Sequence, residues 1–122
     1  SGTSLEAEAL AGNYEPVIVA ATKLVKRGLP MALITLGAAG AVLVTDNGVW
    51  LATSPPVTPL STVGAGDCTL AGFVMGFSDG LSPERALALG VAYGSTAVTL
   101  PGTTIPTPNQ VDADRITIRA LA

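Results

Sequence analysis

Residues 31–36, MALITL, are apolar throughout except at Thr35, between Pro30 and Gly37. A strand with one wet face alternates apolar and polar side chains, whereas a strand covered on both faces has no need to. The run therefore predicts a buried parallel strand in an α/β fold, with helices on both faces of the sheet. The chain is equipped for that burial. Charged residues make up 12% of it, against roughly 25% in ordinary domains. Hydrophobic residues make up 48%, with 2 Tyr, 2 Phe and 1 Trp, so the core must be aliphatic. A chain of 122 residues supplies one domain with one core. One so apolar either buries both faces of its sheet or keeps part of its surface for a partner.

The flanking segments read in the same sense. Residues 5–11, LEAEALA, predict a short helix closed by Gly12. Residues 15–27 predict a second, with Val17, Ile18, Ala21, Leu24 and Val25 on one face. Lys23, Lys26 and Arg27 suit its negative end, and Gly28 stops it. Residues 40–45 and 49–52 predict a β-hairpin, with Asn47-Gly48 supplying the positive-φ residues of a tight turn. TSPPVTPL, residues 53–60, must be extended, with at most an edge strand at its end. A helix is expected from the small-residue turn that follows to about Asp79. Ser82-Pro83-Glu84 predicts another helix start, by cap, fixed φ and acid, with a helix reaching as far as Leu100. PGTTIPTP is a loop, residues 109–113 suggest a weak helix, and ITIRA suggests a last strand. No repeat, low-complexity tract or internal domain boundary interrupts the series.

Several functions are excluded or disfavoured. The net charge is -3 and the six cations are scattered, so nothing tracks a nucleic-acid backbone or an anionic membrane. The longest uncharged helical run, residues 86–100, is shorter than the roughly 18 residues a spanning helix needs. With no His there is no His-based metal site, general base or Ser-His-Asp triad. Cys68 is the one cysteine and cannot form an internal disulfide, which suits a reducing, cytoplasmic setting. No signal peptide is recognisable. The first residue is Ser1 rather than Met, so the chain is treated as open to being incomplete.

Chemistry concentrates in STVGAGDCTLAGF, residues 61–73. Gly64, Ala65 and Gly66 sit where extended chain becomes helix. The first amides of a helix lack internal partners, and small residues let an anion approach them. No Walker A sequence is present. On local grammar Asp67 is equally a first-turn acid or a working carboxylate. Ala71, Gly72 and Gly76, then Ala86, Ala88, Gly90, Ala92, Gly94 and Ala97, give two helices faces without bulk. Such faces serve tight helix packing, or lie against a flat ring. A second glycine turn, TLGAAG, residues 35–40, follows the predicted strand, where α/β sheets gather ligands. It also serves as a plain strand-to-strand turn.

Taken together, STVGAGDCTLAGF resembles the C-terminal signature of ribokinase-like (PfkB-type) sugar kinases. TLGAAGAVLV resembles that family's ATP-contacting strand and turn, and PGTTIPT is most similar to the 1-phosphofructokinase branch. The resemblance runs in order from about Leu5 to the end. It implies a mostly parallel, Rossmann-like sheet flanked by helices, with a β-hairpin. It also implies that residues 1–122 form the C-terminal nucleotide-binding and catalytic portion of such a kinase. The N-terminal portion and lid, with most of the sugar pocket, would lie elsewhere.

The implied activity is ATP- and Mg²⁺-dependent phosphorylation of a sugar phosphate, fructose 1-phosphate first. Tagatose 6-phosphate and fructose 6-phosphate are the alternatives, and a non-catalytic nucleotide-binding module is a further one. Asp67 would be the catalytic base, and the Gly64, Ala65 and Gly66 amides would hold the transferred phosphoryl. Thr35, Gly37 and Gly40 would line the ribose and phosphates, and Val91, Gly94 and Ser95 would wall the adenine. Glu6 falls on the Glu of the family's N-x-x-E motif, which organises Mg²⁺ and phosphates, although Thr3 stands where that motif has Asn. The loop TLPGTTIPT resembles a region where relatives bind a monovalent cation through carbonyls, and no ion is assigned to it. Expected partners are ATP, a sugar phosphate, the N-terminal half and, for the complete enzyme, a second copy in a homodimer.

Overall fold

Among the described residues four α-helices and four strands form, close to where the sequence predicts them. The structure, a computed structural model, describes residues 2–102 and 104–121, with side chains from residue 5 onward. Thr103 in the PGTTIPTP loop, and the side chain of Thr3 in the N-x-x-E comparison, lie outside the described residues.

Helix α1 (Gly2–Leu10) ends before Gly12, whose φ of 87° reverses the chain. Helix α2 (Glu15–Lys26) has Pro in its first turn and ends before Gly28 at φ 105°. Strand β1 (Met31–Thr35) leads through a short 3-10 turn to β2 (Ala41–Thr45), and β3 (Gly48–Thr53) completes a hairpin. Helix α3 (Ala65–Ser78) begins at the small-residue turn, and α4 (Pro83–Ala97) follows. The weak helix expected over 109–113 resolves into two 3-10 turns, Pro108–Gln110 and Ala113–Arg115. Strand β4 (Thr117–Ala120) pairs on β3.

The sheet order is β1-β2-β3-β4, and all three pairings are antiparallel. This corrects the expectation of a mostly parallel sheet for the strands described. The apolar run in β1 signals burial, not direction. Residues 36–40 are the whole connection from β1 to β2, and a parallel crossover needs a dozen residues or more. The strand is also less buried than its composition suggests: Ala32 is buried, while Met31, Leu33 and Ile34 are partly exposed.

Burial on both faces of the sheet is realised at β2. Val42 and Val44 pack with Val17 and Ala21 of α2 and Ala9 of α1. Ala41 and Leu43 point the other way, onto Phe73, Ala86, Leu87 and Val91 of α3 and α4. Alternate side chains of one strand thus join two cores, giving a three-layer α/β/α arrangement. The outer face of α3 keeps Leu70, Val74 and Phe77 about half exposed.

Two local expectations change. The hairpin register pairs Thr45 with Gly48, so the turn is Asp46-Asn47 and Gly48 belongs to β3. Asn47 keeps a negative φ, and its amide donates to the Thr45 hydroxyl at 3.0 Å. Ser82 occupies the cap position of α4, but its hydroxyl makes no capping bond. Pro83 and Glu84 carry that helix start instead.

Candidate functional site

The chain enters α3 through Gly64, whose φ of 79° and ψ of 0° are left-handed. A side chain there would be strained although space is open around it. The Cys68 amide makes the first helical bond, to Gly64 O at 3.0 Å. The Ala65 amide donates to Thr62 O at 3.3 Å. Ala65 is therefore not a free donor as expected. Gly64 and Gly66 keep unengaged amides among the described residues, and the amide of Asp67 itself joins them. That third donor was missed because counting small residues does not reveal which amide the turn consumes.

Asp67 sits in the first turn of α3, exposed, with no hydrogen-bond partner for its carboxylate among the described side chains. The loop leading to it is tied down from behind. The Leu60 and Ser61 amides both donate to Val98 O at the end of α4, at 2.6 and 3.1 Å. The end of α4 therefore positions the acid-bearing turn.

The second glycine turn is built around the 3-10 segment Gly37–Ala39. Gly37 at φ 55° and Gly40 at φ 95° let the chain reverse within residues 36–40, closed by the Leu36 amide to Gly40 O at 2.8 Å. Thr35 brings the two turns together: a Cβ added at Gly66 would stand 3.9 Å from the Thr35 hydroxyl. Glu6 of α1 reaches the same place. Its carboxylate accepts the Ala38 amide at 3.2 Å and occupies the space beside Gly37.

These parts surround one cavity of about 710 Å³, within the 300–1,000 Å³ usual for small-molecule sites. Its lining includes Glu6, Thr35, Gly37, Gly40, Ala65 and Gly66, together with Val91, Gly94 and Ser95 of α4. Nine of the eleven singled-out residues thus meet in one place, while Gly64 and Asp67 stand outside the lining. The sequence reading missed a further part of the lining. Ser54, Pro55, Pro56, Val57 and Pro59 form it, and Thr62 and Thr69 add hydroxyl-bearing side chains. An extended, proline-rich segment has no periodicity that says what it faces, so the sequence carries no local signal of this role. A smaller cleft of about 200 Å³ shares Ser54, Pro55, Val57 and Ser95 with it.

The stripe of small residues serves helix packing first. A Cβ at Gly72 would stand 3.0 Å from Gly90 Cα, and one at Gly90 would stand 2.5 Å from Thr69 O. α3 and α4 therefore touch backbone to backbone, and Gly94 contributes to the same contact as well as to the cavity.

Glu6 is the one ionisable side chain on the lining among the described residues. No group of three or more His, Cys, Asp or Glu is placed to hold a metal ion among them. Mg²⁺ characteristically takes one or two carboxylates together with substrate phosphates. One carboxylate fits a single side of a divalent cation held chiefly by other ligands, and does not fit a cage made by the protein alone. No helix among the described residues is long and apolar enough to cross a membrane.

A glycine-rich helix start and a strand-end turn thus face one cavity. The chain has the ribokinase-like fold. It is similar to ribokinase from Thermotoga maritima, with a TM-score of 0.75 and 28% identity over 89% of this chain and 37% of that one. It is also similar to phosphofructokinase-2 from Escherichia coli solved with substrates and products, with a TM-score of 0.73 and 30% identity over 84% of this chain and 35% of that one.

Residues 2–110 match the pfkB family carbohydrate kinases, and the chain belongs to that family. Among its relatives, the 1-phosphofructokinase of Haloferax volcanii is 41% identical over 87% of this chain and 33% of its own length. The 1-phosphofructokinase of Escherichia coli K12 is 40% identical over 76% of this chain and 31% of its own length. The chain spans about a third of the curated relatives it matches.

Proposed function

We propose that this chain is the C-terminal nucleotide-binding and catalytic portion of a sugar-phosphate kinase that converts fructose 1-phosphate to fructose 1,6-bisphosphate at the expense of ATP. The observation that carries the reading is the cavity itself. It joins the Thr35–Gly40 turn, the start of α3 and the small-residue face of α4 around one volume suited to a nucleotide. The choice of fructose 1-phosphate follows relatives named 1-phosphofructokinase at 40 and 41% identity. Kinases acting on tagatose 6-phosphate or fructose 6-phosphate are the alternatives within the family.

In this reading the nucleotide lies with its base along Val91, Gly94 and Ser95 and its phosphates toward Gly37, Gly40 and Gly66. Phosphoryl transfer passes through a loose transition state, so positioning and charge stabilisation dominate. The unengaged amides of Gly64, Gly66 and Asp67 face the negative charge gathered on the transferring group. The Asp67 carboxylate orients the sugar hydroxyl and accepts its proton as the new O–P bond forms and the bond to ADP breaks. Mg²⁺, carried by the phosphates, would neutralise charge near Glu6. The sugar pocket and cations for the sugar's own phosphate would come from the rest of the enzyme, since no Lys or Arg lines this cavity among the described residues. A homodimer and a cytoplasmic setting complete the proposal.

The test is titration of the chain with ATP and Mg²⁺, followed by amide NMR. Shifts confined to residues 35–40, 64–67 and 91–95 support the reading, and an unchanged spectrum refutes it. One observation favours a second reading, a nucleotide-binding module without catalysis: Asp67 lies outside the cavity lining. Nucleotide binding without fructose 1-phosphate phosphorylation by the complete protein would select that reading.

A further inference from the structure

We infer that Glu6 is a positioning residue, whose carboxylate holds the Gly37–Ala38 turn in the shape lining the cavity. Within residues 36–40 the other engaged amides find backbone partners: Leu36 on Gly40 O, Ala39 on Leu36 O and Gly40 on Gly37 O. The Ala38 amide has none, and its acceptor is the Glu6 carboxylate at 3.2 Å, thirty-two positions away in the sequence. The same carboxylate fills the space beside Gly37. A Cβ there would come within 2.6 Å of Glu6 Oε2 and 2.8 Å of Oε1, and Gly37 is also held at a φ of 55°. Absence of a side chain at Gly37 and presence of a carboxylate at Glu6 are therefore two halves of one contact. It fastens α1 to a turn whose other hydrogen bonds stay within residues 36–40.

The contact also has an electrostatic consequence. Glu6 is the one ionisable group on the cavity lining among the described residues, and it already occupies a backbone donor there. A polyanion entering without a divalent cation meets a like charge. Glu6 thus sets the turn and disfavours metal-free nucleotide. This second consequence rests on the proposed nucleotide site; the first does not.

Hydrogen exchange by NMR on the 122-residue chain tests the first consequence without a ligand. The Ala38 amide of the unaltered chain exchanges at least about tenfold more slowly than an unstructured peptide. Glu6→Gln, which keeps an acceptor oxygen, retains that protection, and Glu6→Ala loses it while the amides of β2 remain protected. Exchange of Ala38 at the unstructured rate in the unaltered chain overturns the inference, and that measurement does not depend on a variant folding. Equal protection in Glu6→Ala also overturns it.

The second readout is ADP affinity without Mg²⁺. Glu6→Gln tightens it roughly threefold, as removing one like charge at cavity distance should, and a purely structural contact would leave it unchanged. Unchanged affinity in Glu6→Gln removes the electrostatic role. Absence of ADP binding in every variant counts against the nucleotide reading and leaves the exchange result to judge the positioning role.

Discussion

Gly94 of α4 lies directly against Thr69 of α3: a methyl group on Gly94 would overlap the Thr69 hydroxyl. That hydroxyl donates to Ala65 O at 3.1 Å, so it cannot simply turn away. Three groups from two helices thus share one space at the edge of the cavity. Gly94→Ala is expected to cost about 1–3 kcal/mol as overpacking, read as a lower denaturant midpoint. Adding Thr69→Ala should recover part of the loss, because the oxygen that meets the methyl is gone while Ala65 O remains close.

Gly40 carries the turn between β1 and β2. Its φ is 95°, and a Cβ would land on the carbonyl oxygen of Ala52 in β3. Strain and overlap act together, so Gly40→Ala should destabilise by about 2 kcal/mol or more. Thermal unfolding measures it. A midpoint unchanged from the parent would contradict the packing described for this turn.

Asp67→Asn, made in an active enzyme containing this chain, keeps the size of the side chain and removes its capacity to take a proton. Turnover is expected to fall by about 10²–10⁴, with ATP affinity close to the parent's. Steady-state kinetics give kcat and KM separately. A normal kcat would refute the assignment of Asp67 as base.

Leu87 is fully buried against the sheet in the core shared by Ala41, Leu43, Ala52 and Phe73. Leu87→Ala should cost about 2–5 kcal/mol. The loss falls on the layer that carries α4, so nucleotide affinity should weaken along with the urea midpoint.

Much of the local structure was legible in the sequence because it depends on neighbours along the chain. Gly12 and Gly28 mark the ends of α1 and α2, and Pro83-Glu84 marks the start of α4. The turn ahead of Asp67 was visible for the same reason. Strand direction at β1 is not in the apolar run, which signals burial alone; it is set by the short connection through residues 36–40. The role of the proline-rich segment is not legible, because extended segments carry no periodicity that says what they face. The engagement of the Ala65 amide with Thr62 O is decided by how the turn closes, which the order of small residues does not reveal.

The sequence by itself determined the elements, the glycine positions and the acid at the start of α3, since capping, periodicity and φ preference act over a few residues. It also carried the family signature. Only the tertiary structure decided which of those features meet. Gly94 and Thr69 share one space because two helices approach backbone to backbone, and Glu6 stands at Gly37 because α1 packs on the turn after β1. These contacts join residues far apart in the chain, and their geometry is fixed by close packing of whole elements, which no local pattern encodes.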